Sequence, residues 1–387
     1  MKWDSVYLSQ ICKLVNGKAF KPSDWSEAGL PIIRIQNLND VSKPFNHWAG
    51  DLSRQVMIKK GDLLIAWSGT PGTSFGAHIW HGKKGVLNQH IFRVDLTKST
   101  ITEKWLKFCV NTKLMTLIDM AHGGVGLKHV TKSMVENIQI PLPPLDEQKR
   151  IAAILDAADA MRTKRREALA DLDKLVQSTF IEMFGDPVTN PKGWEVGSLQ
   201  DVTLKITDGT HKTPMYTDSG IEFLSAKDLK DGEIRWNTNK FISIEEHMQL
   251  IKRCNPEPGD LLLSKSGSLG SVAVIDKDHE FSLFESLCLI KRNTEKINAH
   301  FLANMIRNPT MQTHLLGKNK GVAIRHLHLV DVRGLKILIP PLDLQHRFAD
   351  IVKSIEKQKV LHRRHLAELD TLFASLQQRA FNGELSV

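Results

Sequence analysis

Apolar residues recur along this chain in two different rhythms. In two stretches they return at steps of four and three, the spacing of a helical stripe. The first stretch runs from about Asp146 to Phe184, with Ile154, Ala158, Met161, Arg165, Ala168, Leu172, Leu175 and Thr179 in one register. The second runs from about Asp343 to Phe381, with Ile351, Ile355, Gln358, His362, His365, Leu369, Leu372 and Leu376. A flanking row widens each stripe: Leu155, Arg162, Leu169, Val176 and Met183, then Val352, Lys359, Leu366, Phe373 and Ala380. Neither stretch contains proline or an interior glycine. Asp146 suits an N-cap, and Gly185 and Gly383 suit stops. Long heptad helices pair as a coiled coil, and 39 residues at 1.5 Å each predict a rod of roughly 58 Å. The first helix leaves one block and ends near the next. The second leaves that next block and packs along the first only by running back, so the pair is expected to be antiparallel. Arg162, Arg165, His362 and His365 soften the middle of the stripe; they fix register, meet a partner protein or form a solvated face.

Elsewhere the apolar runs are short and cut by Gly, Pro and Asn. "VYLSQICKLV", "PIIRI", "DLLIAW" and "HIFRVDL" predict strands, and "TEKWLKFCVNTKLMTLIDMA" predicts a helix. These blocks are also written twice. "GLPIIRIQNLND" at 29–40 matches "GIEFLSAKDLKD" at 220–231, and "GDLLIAWSGTPG" at 61–72 matches "GDLLLSKSGSLG" at 259–270. "ITEKWLKFCVNTKLM" at 101–115 matches "INAHFLANMIRNPTM" at 297–311, and "IPLPPLDEQ" at 140–148 matches "LIPPLDLQ" at 338–345. The expected fold class is α+β, with two globular, mostly β domains at 1–143 and 187–340. They are separated by an antiparallel two-helix coiled coil from 144–186 and 341–387, and the two halves form a pseudo-two-fold repeat.

Composition adds a direction. The chain has 387 residues and a formal net charge of +9. Residues 1–143 hold 18 Lys and Arg against 10 Asp and Glu, so most of the excess lies in the first block. A basic block favours a polyanion, through counterion release from phosphates; an unspecialised basic surface is the other reading. Nothing at the N-terminus resembles a signal peptide, and no apolar run approaches the ~20 residues of a membrane span. Cys12, Cys109, Cys254 and Cys288 lie far apart, with no C-x-x-C pair. Neither zinc nor a disulfide framework is indicated. A cytoplasmic protein without membrane association is expected.

Several loops offer candidate contacts to a polyanion. "HGGVGLKHV" at 122–130 lacks the Gly-Lys pair of a phosphate-binding P-loop. It lies instead on "NKGVAIRHL" at 319–327, pairing Lys128 with Arg325 and His129 with His326. Thr131, Lys318, Lys320 and His328 flank these segments. The hydroxyl-rich loops "SGTPGTS" at 68–74 and "SGSLGS" at 266–271 grip phosphates or merely connect strands; they contribute Ser68, Thr70 and Thr73, and Ser266 and Ser268. Arg, Gln, Asn and Lys are the side chains that read base edges. Arg34, Gln36 and Asn37 face Ser225, Lys227 and Asp228 across the repeat, and Trp67 faces Lys265. Asn88, Gln89 and His90 in the first copy, and His211, Lys212, Lys227, Ser264 and Lys265 in the second, complete the candidate contact set.

Catalysis has little support. No N-P-P-[YF] or D-P-P-[YF] motif for amino-methyl transfer is present. His78 and His81 lack a third metal ligand at a useful spacing. The alternatives are a self-contained DNA-modifying enzyme or nuclease, and an RNA-binding or structural scaffold.

Two variable blocks, each followed by "PLPPLDEQ" or "IPPLDLQ" and a long helix, resemble the specificity (S) subunit of type I restriction–modification systems, over essentially the whole chain. "DGTHKTPMY" at 208–216 and "GDLLLSKSGSLG" at 259–270 are similar to phrases of that family's target-recognition domains. The resemblance implies that each domain reads one half of a bipartite, asymmetric double-stranded DNA target. It implies that the helices are a spacer docking two modification (M) subunits, which carry S-adenosylmethionine and the adenine-methylating site, and that restriction (R) subunits join to cleave. This chain then has no catalytic residue, metal or cofactor of its own. Half-sites about one helical turn apart, roughly 34–36 Å, fit such a reader. The first copy departs from the pattern at "VNGKAFKPSDW", where the Asp-Gly-Thr-His phrase is missing.

Overall fold

The computed structural model describes residues 3–40, 42–51, 56–68, 75–121, 130–236, 238–317 and 326–385, with the side chains of 115–121 left aside. The chain divides into two compact units, Met1–Arg166 with Arg364–Val387, and Glu167–Arg363.

The first unit contains β1 (Ser5–Tyr7), β2 (Cys12–Asn16), β3 (Leu30–Ile33), α1 (Ile35–Asn39), β4 (Asn46–Trp48), β5 (Met57–Ile58), β6 (Leu63–Ala66), β7 (Gly76–Ile79), β8 (Gly85–Leu87), β9 (Ile91–Leu96), α2 (Glu103–Ala121), α3 (Lys132–Glu136), β10 (Gln139–Pro141) and the start of α4 (Leu145–Phe184). One sheet has the order β2-β9-β6-β7 and is antiparallel throughout. The other has the order β4-β3-β8-β5, with β3 and β8 parallel. β1 and β10 close the block as an antiparallel pair. The uninterrupted apolar run of β6 follows from its position. Leu63 and Ile65 face the core beneath α2, whereas Leu64 and Ala66 face a second core with Ile33, Ile58, Trp80 and Leu87. A strand covered on both faces needs no polar alternation.

The second unit repeats this plan, with β11 (Val196–Ser198), β12 (Thr203–Asp208), β13 (Ile221–Leu224), β14 (Leu229–Lys230), β15 (Glu233–Ile234), β16 (Phe241–Ile242), α5 (Ile244–Leu250), β17 (Leu261–Ser264), β18 (Val272–Val274), β19 (Phe281–Leu283), β20 (Leu287–Arg292), α6 (Ala299–Arg307), α7 (Pro309–Gly317), α8 (Leu329–Arg333), β21 (Lys336–Leu338) and the start of α9 (Leu342–Asn382). The sheet β12-β20-β17-β18 copies β2-β9-β6-β7, β13 and β19 are again parallel, and β11 pairs with β21 as β1 does with β10. Leu261 and Leu263 of β17 enter one core and Leu262 the other.

Both long helices end where glycine takes a left-handed conformation, at Gly185 (φ 80°) and Gly383 (φ 77°). They begin at Leu145 and Leu342, so Asp146 and Asp343 lie inside the first turn. There a carboxylate favours the helix dipole; Asp146 is not the N-cap.

The junction before each helix is held by a buried glutamine that marked only a motif in the sequence. Gln148 accepts from Thr102 N (3.1 Å) and donates to the carbonyls of Thr100 (2.9 Å) and Pro143 (3.0 Å). Gln345 accepts from Asn298 N (2.9 Å) and donates to those of Lys296 (3.4 Å) and Pro340 (2.8 Å). One side chain thereby ties the Pro-Pro-Leu-Asp turn to the entry of α2 or α6.

Within each unit the helix pairing is antiparallel. In the first, Arg150 reaches Leu385 O (3.0 Å) and Arg162 reaches Asp370 (2.6 Å). In the second, Lys359 reaches Asp173 (2.7 Å), and the rings of Phe180 and Phe348 lie 5.5 Å apart. The buried stripe, however, is rotated from the expected seam. Met161, Leu175, Ile351 and Leu372 are 40–50% exposed, whereas Leu155, Val176, Val352, Phe373 and Ala380 of the flanking row are buried. The cause is a third element. Phe373 packs on Phe108 of α2 (6.0 Å) and Phe180 on Phe301 of α6 (5.7 Å), so the stripe bisects two contacts rather than one.

Arg162–Asp370 and Lys359–Asp173 are one interaction occurring twice, each offset by 197 residues. Lys359 is 9% exposed and also meets Glu356 (2.8 Å), whereas Asp173 is 59% exposed. Breaking such a pair from its solvated side leaves a buried cation under-compensated. Asp173→Ala is therefore expected to cost about 1 kcal/mol more stability than Lys359→Met, which removes the charge and keeps the apolar stem. Urea denaturation of the two variants measures the difference, and the opposite order would show that the ammonium is not the costly partner.

Candidate nucleic-acid interface

Each unit gathers the same loops at one end of its sheets, through equivalent backbone hydrogen bonds. In the first, Gly17 N donates to Ile91 O (3.1 Å), Asn88 N to Ile33 O (3.0 Å) and Trp67 N to His90 O (3.3 Å). In the second, Gly209 N donates to Leu287 O (3.3 Å), Phe284 N to Leu224 O (2.9 Å) and Lys265 N to Ser286 O (2.8 Å). A Cβ on Gly17 would collide with the Asn88 carbonyl, and one on Gly209 with the Leu283 carbonyl. Asn16-Gly17 thus occupies the place of Asp208-Gly209. The first copy lacks the Thr-His part of the phrase but keeps its turn, in the form of Asn-Gly.

On this shared frame the side chains differ. In the first unit the Trp67 ring lies 5.1 Å from His90 and is stacked 6.1 Å from Phe92. In the second unit the corresponding place is ionic. Asp208, 4% exposed, accepts from Lys265 Nζ (2.6 Å), His211 Nε2 (3.2 Å) and Arg253 Nη2. Glu285 lies 4.0 Å from the Lys265 ammonium. Burial opposes the charged form of Asp208, but the Lys265 hydrogen bond and charge, with Arg253 and His211, outweigh it and hold the carboxyl below the usual carboxylate range. Lys265 O also accepts from Leu327 N (3.0 Å), which brings the segment around His326 to the same cluster.

The structure sorts the sequence candidates. Lys265 is 8% exposed and committed to Asp208, so it is an internal strut and not an open cation. Ser264 is buried, its hydroxyl donating to Ser266 O (2.7 Å). Asn37 is fully buried; it accepts from Arg34 N (3.1 Å) and donates to Lys43 O (3.3 Å), capping α1 as Asp228 caps the turn at Ser225 (2.7 Å). Thr131 caps α3 by accepting from Met134 N (3.3 Å). His328 holds the matching position before α8. Gln36, Gln89, His211, Lys212, Lys227, Ser268, His326 and His328 are exposed, and Arg34, Ser68, Asn88, His90 and Ser266 are half-buried. Arg34 sits 6.0 Å from the Trp25 ring, and Gln89 lies 3.2 Å from the His90 imidazole. Thr70, Thr73, Lys128, His129, Lys318, Lys320 and Arg325 lie outside the described residues. Arg253 and Asp208 were missed, although Asp208 opens the quoted "DGTHKTPMY".

All four cysteines are buried and unpaired, and burial pushes the Cys12 and Cys254 thiols up to about 12. No helix among the described residues is long and apolar enough to cross a membrane.

Two α+β units with unlike loops on equal frames make the chain a duplicated two-part module. Residues 1–170 and 191–371 both match the type I restriction modification DNA specificity domain. The chain belongs to that family. It is 24% identical to the EcoBI specificity subunit of Escherichia coli, across 99% of this chain and 86% of that one. It is 23% identical to the MjaVIII specificity subunit of Methanocaldococcus jannaschii, across 100% and 93%. In fold it is similar to the crystal structure of the S subunit from M. genitalium, with TM-score 0.52, 14% identity and coverage of 98% and 96%. A chain from a type I R-M system studied for its assembly and conformational transition gives TM-score 0.51, 20% identity and coverage of 99% and 98%. As a specificity subunit the chain supplies recognition and not catalysis, which sets aside the self-contained modifying enzyme.

Proposed function

We propose that each unit reads one half of a bipartite, asymmetric duplex target through the loop cluster at the end of its sheets. The observation that carries this is the equal frame with unlike chemistry: Asn16, Trp67 and His90 in one unit correspond to Asp208, Lys265 and Ser286 in the other. The frame fixes the angle at which side chains are offered, and the side chains set which base edges they suit. Exposed Gln36, Gln89, His211, Lys212 and Lys227 supply contacts, while Asn37, Thr131, Ser264 and Lys265 hold the loops in place. The exposed rows of the helices, Met161, Leu175, Ile351 and Leu372, supply apolar surface for two M subunits. Those subunits bring S-adenosylmethionine and methylate adenine in the cytoplasm, and R subunits add cleavage.

Replacing residues 1–140 by the corresponding block of another specificity subunit is expected to change one half of the methylated target and leave the other half intact. Sequencing of modified adenines in cells carrying the hybrid reads this directly. A change in both halves would mean that the units do not read independently.

A further inference from the structure

Past the end of α5, Arg253 carries no motif, and its exposed guanidinium is held directly by the buried carboxylate of Asp208. Its Nη2 donates to Asp208 Oδ1 and to the Asp208 backbone carbonyl (3.2 Å). Its own carbonyl accepts from Lys205 Nζ (2.6 Å), so the residue is fixed at both ends. The side chain is nonetheless 55% exposed, against 8% for Lys265 and 4% for Asp208. His211, 61% exposed, shares the same carboxylate.

We propose that Arg253 is a specificity-determining residue that reads a guanine in the half-site of the second unit, with Asp208 as its positioning residue. The inference rests on this loop cluster being the DNA interface. Both contacts to Asp208 are made by Nη2, which leaves the Nε and Nη1 donors of the guanidinium for a partner. Side chains ordered before binding lose less freedom on contact. Guanine presents the two acceptors, O6 and N7, that match a fork. Asp208 and Glu285 lie against Lys265 and Arg253, with Lys205 as a further cation at the Arg253 carbonyl, so the salt dependence of binding separates a base contact from a phosphate contact. In the first unit Asn16 and Trp67 stand in place of Asp208 and Lys265, so the effect belongs to one half-site only.

The test is methylation of a randomised-target DNA library by the full chain assembled with its M subunits, as wild type and as Arg253→Ala, Arg253→Lys, Asp208→Asn and Lys212→Ala. Arg253→Ala is expected to lower the preference for guanine at one position of one half-site by about 10–100-fold, leaving the other half unchanged. Arg253→Lys keeps the charge and loses the fork, and is expected to relax the same position. Asp208→Asn is expected to relax that position to a smaller degree. Decay at every position of the half-site would instead make Asp208 merely structural, and overturn its positioning role. An equal loss on all sequences for Arg253→Ala, with the salt slope reduced by about one, would identify a phosphate contact and overturn the guanine assignment. If Lys212→Ala weakens binding but neither Arg253 variant changes base preference, the assignment fails and the interface stands. If none of the four variants alters binding or pattern, the interface itself is misplaced.

Discussion

A fragment of residues 1 to about 190 is expected to dimerise and, with M subunits, to methylate a palindrome made of one half-site twice. In the first unit the stripe of α4 is covered by the last part of α9, through Phe373, Ala380 and Phe381. The fragment lacks them but carries their repeat equivalents, Val176, Met183 and Phe184. A second copy offers these from its own α4, running antiparallel about a two-fold axis. The ion pair survives the exchange, because Asp173 is the repeat equivalent of Asp370 and Arg162 of one copy can meet Asp173 of the other. Covering the stripe gains about 25 cal/mol per Å². Val176 in place of Phe373 forfeits the ring that packs on Phe108 and lies under the Arg162 guanidinium (4.2 Å), so the dimer is weaker than the natural pairing. Light scattering reports the mass and methylome sequencing the target. A monomer at high concentration, or methylation of the original asymmetric site, refutes the exchange.

Substitution of Gln345 by Leu is expected to destabilise the second unit by about 3 kcal/mol. Leucine fills the space but leaves the amide of Asn298 and the carbonyl of Pro340 without partners, and each such buried group costs about 1–3 kcal/mol. Gln148→Leu is expected to act equally on the first unit, through Thr102 N and the carbonyls of Thr100 and Pro143. Thermal and urea unfolding measure both. A loss under about 1 kcal/mol at either position would show that the junction is held by the apolar packing around it and not by the amide.

Periodicity and repetition made most of the architecture legible. The step of four and three marked both long helices to within a residue or two, and the repeated phrases marked the two sheet-rich blocks. What the pattern missed was a partner outside the phrase that it read. The heptad reading placed Leu372 at the seam because it considered two helices; α2 and α6 pull Phe373 and Phe180 inward instead. Lys265 reads as an open cation until Asp208, 57 residues away, is seen beneath it. Asn37 sits in a run of side chains suited to base reading, yet its amide closes a turn of only six residues. The contact between the phrases at 208–216 and 259–270 follows the repeat, with Asp208 meeting Lys265. The internal chemistry of the site was not legible, because Arg253 belongs to no repeated or motif-like stretch.

The paired clamps of Gln148 and Gln345 have a consequence at the level of the gene. Each stands at the same point of its copy, and each makes the same three bonds. An exchange of strands between the two coding repeats at this point keeps every clamp whole, whichever block ends up upstream. A block can therefore be exchanged between the copies without disturbing the hydrogen bonds that hold its junction.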